Sequence, residues 1–226
     1  MHFHLPKPLH GWRELLGEVA IIVVGVLLAL GAEQLVEAAH WRSEVRDFRA
    51  AIDHELGRDL GVYALNMESR RCVAARLAAL EQLLSQSRAG HQLRMVRPIG
   101  RPQSFSQYTS TWDNKGAEVT EHLPLDARVR YGEVYDEFAN ADIVRLNERD
   151  VWRSLAQFDG NEPLDHADRL RLRELLTRAE QLDAAARGNY GYILHLAKPL
   201  GIHPIGDPQN PHMPGGESFC QPLFAK

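Results

Sequence analysis

Several kinds of residue are scarce in this sequence. Its 226 residues include two cysteines and four lysines, and 8% of them are aromatic. Two cysteines are too few for a disulfide-rich secreted scaffold or a four-cysteine zinc site. Basic residues are not in excess either, because 26 Lys and Arg accompany 30 Asp and Glu, with a net charge of -4. Nucleic-acid binders usually show a strong basic excess, so we expect no nucleic-acid partner.

The sequence also lacks the short motifs of common catalytic and metal sites. It contains no Gly-x-Ser-x-Gly elbow, no Ser-x-x-Lys pair, no His-Glu-x-x-His motif and no acidic calcium loop. The 11 histidines are scattered, and the run Asp53-His54-Glu55 is expected to be surface charge on a helix. We therefore predict no catalytic residue, no metal site, no cofactor and no known small-molecule ligand, as for a non-enzymatic protein.

Long apolar runs are absent, with one exception near the N-terminus. Residues 19–32 carry no charged or strongly polar side chain, and apolar flanks extend the stretch to 15–36. This length predicts one transmembrane helix. Two alternatives remain: a cleaved signal peptide with Ala29-Leu30-Gly31 before the cut, and a buried helix of a soluble protein. A mean hydropathy of -0.33 excludes a protein with many membrane spans.

One face of the predicted membrane helix combines small residues with two carboxylates. At 100° per residue this face holds Glu18, Gly25, Ala29, Ala32 and Glu33. Small residues let a second helix approach closely, and a carboxylate in a membrane is expected to face protein rather than lipid. The face fits packing against a second copy or a membrane-protein partner. It fits equally well the general abundance of Gly and Ala in membrane helices.

The residues after this segment follow helical periodicity. An apolar stripe from Ala38 to Met67 predicts that the membrane helix continues into the domain, with Gly57 and Gly61 as places for a bend. A shorter helix is expected from about residue 107, and the last two long helices are separated by a turn at 159–163. Further helical stripes cover 73–84, 129–158 (with an interruption expected near Asn140) and 170–194.

No useful stretch alternates apolar and polar residues at period two, so the fold is expected to be all-α. We predict an N-terminal transmembrane helix that continues into an antiparallel bundle of three or four helices. The chain then divides into a short tail (1–14), the transmembrane helix (15–36), the bundle (37–198) and a Pro-rich tail (199–226).

The Pro-rich tail holds six of the 12 prolines and is expected to be extended unless something holds it in place. Cys220 lies in this tail, and Cys72 is expected on the long first helix, whose apolar pattern extends to about Ser87. In an oxidising compartment the two could form a disulfide that clamps the tail onto the bundle. The alternative is one buried thiol and one thiol in a free tail.

Charge near the membrane segment determines its orientation only weakly, because Lys7 and Arg13 precede it and three arginines follow it. A short N-terminal tail before one apolar segment is typical of an uncleaved signal anchor. We therefore expect the C-terminal domain to lie outside the cytoplasm.

Several motifs resemble a family of bacterial single-pass membrane-anchored proteins of unknown function. The resemblance starts at Gly17-Glu18-Val19 and the run 22–30, and it includes Trp41, His54-Glu55-Leu56 and Asp59-Leu60. A second block resembles the family less closely; it comprises Ser110-Thr111-Trp112, Gly116, Leu123, Leu125 and the helix around Tyr131 and Tyr135.

The resemblance covers about residues 11–160 and departs from the family at Gly31-Ala32-Glu33-Gln34. It implies one membrane helix and a helical domain, and it supplies no catalytic residues. Together with the signal-anchor pattern, the expected location is the bacterial inner membrane with a periplasmic C-terminal domain. The expected function is that of an interaction or accessory subunit. An extracytoplasmic ligand-sensing domain that acts through a partner is the alternative.

Overall fold

The computed structural model describes residues 11–104, 106–206 and 216–225. The first ten residues and the tail residues 207–215 lie outside the described part of the chain, so the predicted N-terminal tail is described only from Gly11 on. The chain forms two compact units, Met1–Phe48 and Arg49–Lys226. The all-α class is confirmed, because the described residues form helices and no strand, with a single isolated bridge between Met95 and Phe224.

The first helix, α1, runs from Trp12 to Glu68, so the predicted continuation of the apolar helix is confirmed. It ends at Glu68, so the expected extension of the first helix to about Ser87 is wrong, and a separate helix, α2, follows over Arg70–Arg88 and carries Cys72. The Ser69 hydroxyl donates a hydrogen bond to the carbonyl oxygen of Asn66 at 2.7 Å. A serine that bonds back to the preceding turn commonly bends a helix. Gly57 and Gly61 both remain helical, so neither interrupts α1, and a bend there stays a prediction.

Five further α-helices follow in the described chain: α3 over Ser110–Asp113, α4 over Ala117–His122, α5 over Leu125–Leu155, α6 over His166–Ala197 and α7 over Gly216–Cys220. Short 3-10 helices follow α5 at Ala156–Phe158 and α6 at Lys198–Leu200. The interruption expected near Asn140 is wrong, because α5 is unbroken. An Asp165 side chain accepts a hydrogen bond from the main-chain N–H of Asp168 at 2.8 Å, and it caps α6 after the predicted turn.

In the second unit, α5 runs in the same direction as α1 and α2, whereas α6 runs in the opposite direction. Tyr131 of α5 contacts Asp53, and Glu148 of α5 contacts Arg70, so α5 advances together with α1 and α2. The contacts of α6 run in reverse order, from Tyr63 with Ala186 to Arg70 with Asp183. The bundle is therefore antiparallel at α6, while the long connection 89–124 carries the chain back so that α5 can run parallel to α1 and α2.

The main core cluster lies between α2, α5, α6 and α7. Trp152 of α5 is fully buried, and its ring meets that of Phe219 of α7 edge to face, with centroids 5.3 Å apart. Buried leucines at helical spacing supply the α2 and α6 sides of this core: Leu77, Leu80, Leu84, Leu172, Leu175 and Leu176. The predicted stripe on α2 thus marks a buried face correctly, whereas Val129 of the α5 stripe and Leu170 of the α6 stripe are exposed.

Gly57 and Gly61 lie where a second segment crosses α1. The main-chain N–H of Ile205 donates to the carbonyl oxygen of Gly57 at 2.7 Å. A Cβ added at Gly61 would lie 1.9 Å from the carbonyl oxygen of Ile205. These glycines therefore permit close approach of the segment 203–205 to α1.

The described end of the tail is folded onto the bundle. Phe219 and Leu223 are buried, and the main-chain N–H of Val96 donates to the carbonyl oxygen of Leu223 at 3.0 Å. The buried guanidinium of Arg76 donates to the carbonyl oxygens of Phe219 at 2.7 Å and Gln221 at 3.1 Å. Residues 216–225 are therefore packed against the bundle and do not form an extended tail.

Candidate functional site

Two carboxylates on α1, one helical turn apart, hold the start of α3. Glu55 accepts hydrogen bonds from the main-chain N–H of Thr111 at 2.8 Å and from the Ser110 hydroxyl at 3.1 Å. Its second oxygen accepts from the phenol of Tyr135 at 2.7 Å. The Glu55 carboxylate is thus buried with three donors around it, which is the arrangement that makes a buried charge tolerable.

Asp59 is the second carboxylate, and it is 1% exposed. Both of its oxygens lie near one donor, the main-chain N–H of Tyr108, at 3.0 and 3.1 Å. Glu55 and Asp59 together therefore fasten the main chain over 108–111 to α1. These residues form the carboxylate cluster: Glu55, Asp59, Tyr108, Ser110, Thr111 and Tyr135.

The two carboxylates differ in their acidity. Burial opposes the ionisation of Glu55, but the hydrogen bonds from Thr111, Tyr135 and Ser110 outweigh it and lower the pKa of Glu55. Burial dominates at Asp59 and, with the nearby charge of Glu55, raises its pKa to about 7, against the opposing effects of the Tyr108 N–H and Arg58. Glu55 is thus ionised at neutral pH, whereas Asp59 takes up a proton as the pH falls through about 7.

Aromatic rings close the cluster on the α5 side. Trp112 stacks on Tyr135 with ring centroids 4.9 Å apart and planes 10° from parallel. The ammonium of Lys115 lies 4.1 Å from the centroid of the Trp112 ring and donates to the Trp112 carbonyl oxygen at 3.0 Å. Burial and the hydrogen bond to Glu55 raise the pKa of Tyr135, so its phenol stays a donor.

A third acidic residue of α1 reaches α5 beside this cluster. The phenol of Tyr131 donates to Asp53 at 2.6 Å. Burial, followed by this hydrogen bond, raises the pKa of Tyr131 to about 12. Asp53 and Glu55 therefore fix two tyrosines that are one helical turn apart on α5.

A solvent-open cleft of about 320 Å³ adjoins the cluster. Its lining is formed by α1 on one side and the start of α3 on the other: Ala51, His54, Glu55, Arg58, Tyr108, Ser110 and Thr111. The Arg58 guanidinium lies 4.8 Å from the centroid of the exposed Tyr108 ring. The size is at the lower end of ordinary ligand pockets. The cleft offers a polar small molecule hydroxyls, a guanidinium and an imidazole.

A second buried charge cluster joins α2, α5 and α6. Arg70 donates through two nitrogens to both oxygens of Glu148, and its Nη1 also lies 3.2 Å from Asp183. Arg187 binds Asp183 at 2.9 Å and donates to the carbonyl oxygen of Arg70 at 3.2 Å. Arg70 and Glu148 are 5% and 2% exposed, so this ion pair fixes how the helices pack and has no access to a ligand.

The cysteines considered in the sequence are bonded to each other in the structure. Cys72 of α2 and Cys220 of α7 have Cα atoms 4.8 Å apart, and 148 residues separate them along the chain. The bond ties α7 to α2 beside the carbonyl contacts of Arg76. Its formation in the cell stays a prediction.

The predicted helix-packing face belongs to the first unit. Its five residues, Glu18, Gly25, Ala29, Ala32 and Glu33, are all exposed on α1. No atom lies within 4 Å of a Cβ built on Gly25. The face is therefore accessible to a partner helix, and packing there stays a prediction.

Among the described residues, no group of three or more His, Cys, Asp and Glu side chains is arranged to hold a metal ion. In the second unit, His54 borders the cleft and is exposed. His195 stacks against Tyr192 with centroids 6.4 Å apart. These two histidines thus lie apart on different helices.

No protein-family model matches this chain, and neither a curated protein nor a solved structure does. The resemblance to a family of membrane-anchored bacterial proteins therefore stays a prediction. The structure does bring both blocks of that resemblance together, since Glu55 and Asp59 come from the first block and Ser110, Thr111 and Tyr135 from the second.

The expectation that Asp53-His54-Glu55 is surface charge is wrong for Glu55, which is buried, and holds for His54. The helical periodicity of α1 does indicate a buried carboxylate close to this run. Taking Ile52 as the centre of the buried stripe, Asp59 follows seven residues later and lies about 20° away, within the stripe itself. A carboxylate at such a position must find donors inside the protein.

Proposed function

We propose that this chain is a single-pass membrane protein whose helical domain acts outside the cytoplasm as a non-enzymatic interaction or accessory subunit. The observation that supports it is the first part of α1. The described residues contain one helix that is long and apolar enough to cross a membrane, with a mean hydropathy of 2.5 over its best window and none of that window buried.

Exposure of this helix to water would be costly. Each fully exposed Val, Leu or Ile side chain forgoes about 1.5–3 kcal/mol of burial free energy. The exposed residues include Ile21, Ile22, Leu27 and Leu28. A lipid bilayer covers such a helix on all sides, and the helix satisfies its own backbone hydrogen bonds there.

The cysteine pair supports a domain outside the cytoplasm. Disulfides persist in oxidising compartments such as the bacterial periplasm and are rare in the cytosol. A bond between Cys72 and Cys220 fits a domain that is translocated across the inner membrane. This location also agrees with the signal-anchor pattern of the sequence.

The location is tested with C-terminal fusions of the full chain to alkaline phosphatase and to a fluorescent protein that matures only in the cytoplasm. We expect active phosphatase and a dark fluorescent fusion. Non-reducing electrophoresis after thiol alkylation in intact cells is expected to show neither Cys72 nor Cys220 alkylated. A bright fluorescent fusion with inactive phosphatase would refute the proposed side of the membrane.

The interaction role is tested at the face of Glu18, Gly25, Ala29, Ala32 and Glu33. We expect Gly25→Cys to crosslink to a second copy or to another membrane protein in native membranes. Leu27→Cys is the matched control, because it lies about 180° from Glu18 on the same helix. Equal crosslinking from both positions, or none from either, would contradict a specific packing face.

The cleft beside Glu55 favours a second candidate function, a ligand-sensing domain that acts through a partner protein. Its volume of about 320 Å³ accommodates a small polar molecule. A panel of amino acids, sugars and carboxylic acids in a thermal-shift assay tests this candidate. A ligand of the cleft should raise the melting temperature of the wild type but not of an Arg58→Ala variant; a panel without any shift speaks against sensing.

A further inference from the structure

In the carboxylate cluster, Glu55 and Asp59 join the segment 108–111 to α1. The protein lowers the pKa of Glu55 and raises the pKa of Asp59. The segment 108–111 is fastened to α1 by the Tyr108 N–H on Asp59 and by the Thr111 N–H and Ser110 hydroxyl on Glu55. Tyr135 of α5 adds a fourth bond, also to Glu55. The same segment forms one wall of the cleft.

We propose that Glu55 and Asp59 form a pH-dependent latch, which holds the segment 108–111 most firmly in mildly acidic solution and loosens it as the pH rises past neutrality. The geometry favours this because Asp59 is almost wholly buried and, among the described residues, one N–H serves both of its oxygens. An ionised carboxylate in that position lacks the donors that Glu55 has.

The charged and titratable groups around Asp59 come from three elements. On α1, Glu55 lies one turn before it and disfavours its charge, while Arg58 favours its charge. From α5, the phenol of Tyr135 is held by Glu55. From the described part of the connecting segment, the neutral N–H of Tyr108 bonds to Asp59. Among the described groups that act on Asp59, Arg58 is the cation, and it is itself exposed to solvent.

The sign of the effect follows from linkage. Burial raises the pKa of Asp59 from its ordinary 3.8 to about 7, so the latched form binds a proton that the released form gives up. The contribution of Asp59 is therefore fully present near pH 4 and is lost as the pH rises through about 7. A protonated Asp59 still accepts the Tyr108 N–H through its carbonyl oxygen.

Glu55 sets the acidic limit of the latch. Its pKa is lowered from an ordinary 4.5, so its contribution is present above that value and is lost as the pH falls below it. The two carboxylates together leave a window from about pH 4.5 to 6.5 in which both favour the latched segment.

Hydrogen exchange on the full chain in detergent micelles tests the latch. Exchange rates are divided by the intrinsic rates at each pH, so that the protection factors report structure alone. For peptides spanning 107–113 we expect protection to fall about tenfold or more between pH 5.5 and 8.5. Peptides from α6 should change little over the same range.

The variant Asp59→Asn keeps an acceptor for the Tyr108 N–H and cannot ionise, so it should abolish the fall in protection. Asp136→Asn is the matched control, because Asp136 is exposed on α5, and it should retain the fall. A fall that persists in Asp59→Asn, or that spreads equally over α6, would overturn the latch. If Asp59→Asn does not fold, the wild-type profile decides: protection that is level from pH 5.5 to 8.5 overturns the proposal.

Discussion

Arg70 and Glu148 form a buried two-point ion pair between the start of α2 and the second half of α5. The same 78 residues separate Asp53 from Tyr131, the hydrogen-bonded pair that lies 17 residues earlier on both sides of the contact. The equal separation shows that α5 keeps a constant alignment with α1 and α2 along this length.

Removing one partner of the ion pair should be more damaging than removing both. Glu148→Gln leaves the Arg70 guanidinium buried with only Asp183 nearby, and it should lower the free energy of unfolding by about 3–5 kcal/mol. Arg70→Met with Glu148→Met should cost less than the sum of the single variants. Denaturant unfolding of the full chain in micelles measures both.

The exposed pair Arg171 and Glu174 on α6 is the control for the ion-pair variants, with nitrogen and oxygen 2.9 Å apart. Breaking it with Glu174→Gln should change stability by at most about 0.5 kcal/mol. An equal loss from both pairs would contradict the assigned role of the buried one.

Gly61 should tolerate no side chain. In Gly61→Ala the new Cβ meets the carbonyl oxygen of Ile205 at 1.9 Å, so the segment 203–205 must move, and we expect a loss of about 1–3 kcal/mol in stability. Gly188→Ala is the matched control on α6, because no atom lies within 4 Å of its added Cβ.

The control Gly188→Ala should gain about 0.5–1 kcal/mol from helix propensity. Gly57→Ala should fall between the two, since its Cβ would meet first the flexible end of the Ile205 side chain at 2.6 Å. Thermal melts of the three variants give the order, and a Gly61→Ala protein as stable as Gly188→Ala would be inconsistent with the close crossing of Ile205 over α1.

Glu55→Gln should weaken the start of α3. The amide nitrogen of glutamine cannot accept a hydrogen bond, so either the Tyr135 phenol or the Thr111 N–H loses its acceptor, at a cost of about 1–3 kcal/mol. The wild type should also lose stability as the pH falls below 4.5, because the lowered pKa of Glu55 makes its ionised form stabilising. The variant should lack that component of the acid transition.

Melting temperatures from pH 3 to 7 check both statements about Glu55. His54→Gln, at the neighbouring exposed position, serves as the control and should follow the wild type. Acid transitions of equal steepness in wild type and Glu55→Gln would exclude Glu55 as their source.

Loss of the disulfide should release α7 only in part. Cys72→Ser with Cys220→Ser removes a link across 148 residues and should lower stability by about 2–5 kcal/mol. Phe219 and the bonds from Arg76 should still hold α7 in place under native conditions. Adding Arg76→Met to the double variant should then expose α7 to proteolysis, and resistance of this triple variant would argue against the Arg76 contacts.

The sequence predicts the helices better than it predicts their contacts. Periodicity locates the stripe of Ile52, Leu56 and Leu60 correctly, because burial of one helix face is a local pattern that repeats every three or four residues. It does not predict that Gly57 and Gly61 accommodate Ile205, which comes about 145 residues later. Contacts at such separations leave no periodic trace.

The sequence pattern does not predict the carboxylate cluster, in part because its contacts also join residues that are far apart along the chain. The donors to Glu55 and Asp59 lie about 50 to 80 residues further along the chain, on Tyr108, Thr111 and Tyr135, and nothing local marks them as partners. The position of Asp59 within the apolar stripe was a usable signal, because a carboxylate there must be buried. The charged composition of the run 53–55 concealed it.

A bond between Cys72 and Cys220 in the cell would determine when the domain can be completed during synthesis. Cys72 emerges from the ribosome 148 residues before Cys220, so it would have to remain a thiol while α5 and α6 are made. The parallel alignment of α5 with α1 and α2 likewise waits for the connection 89–124, and folds with such distant contacts close slowly. The Cys72 thiol would therefore be exposed to incorrect disulfide partners for longer than the Cys220 thiol. A thiol–disulfide oxidoreductase that protects Cys72 would act on the nascent chain rather than on the finished protein.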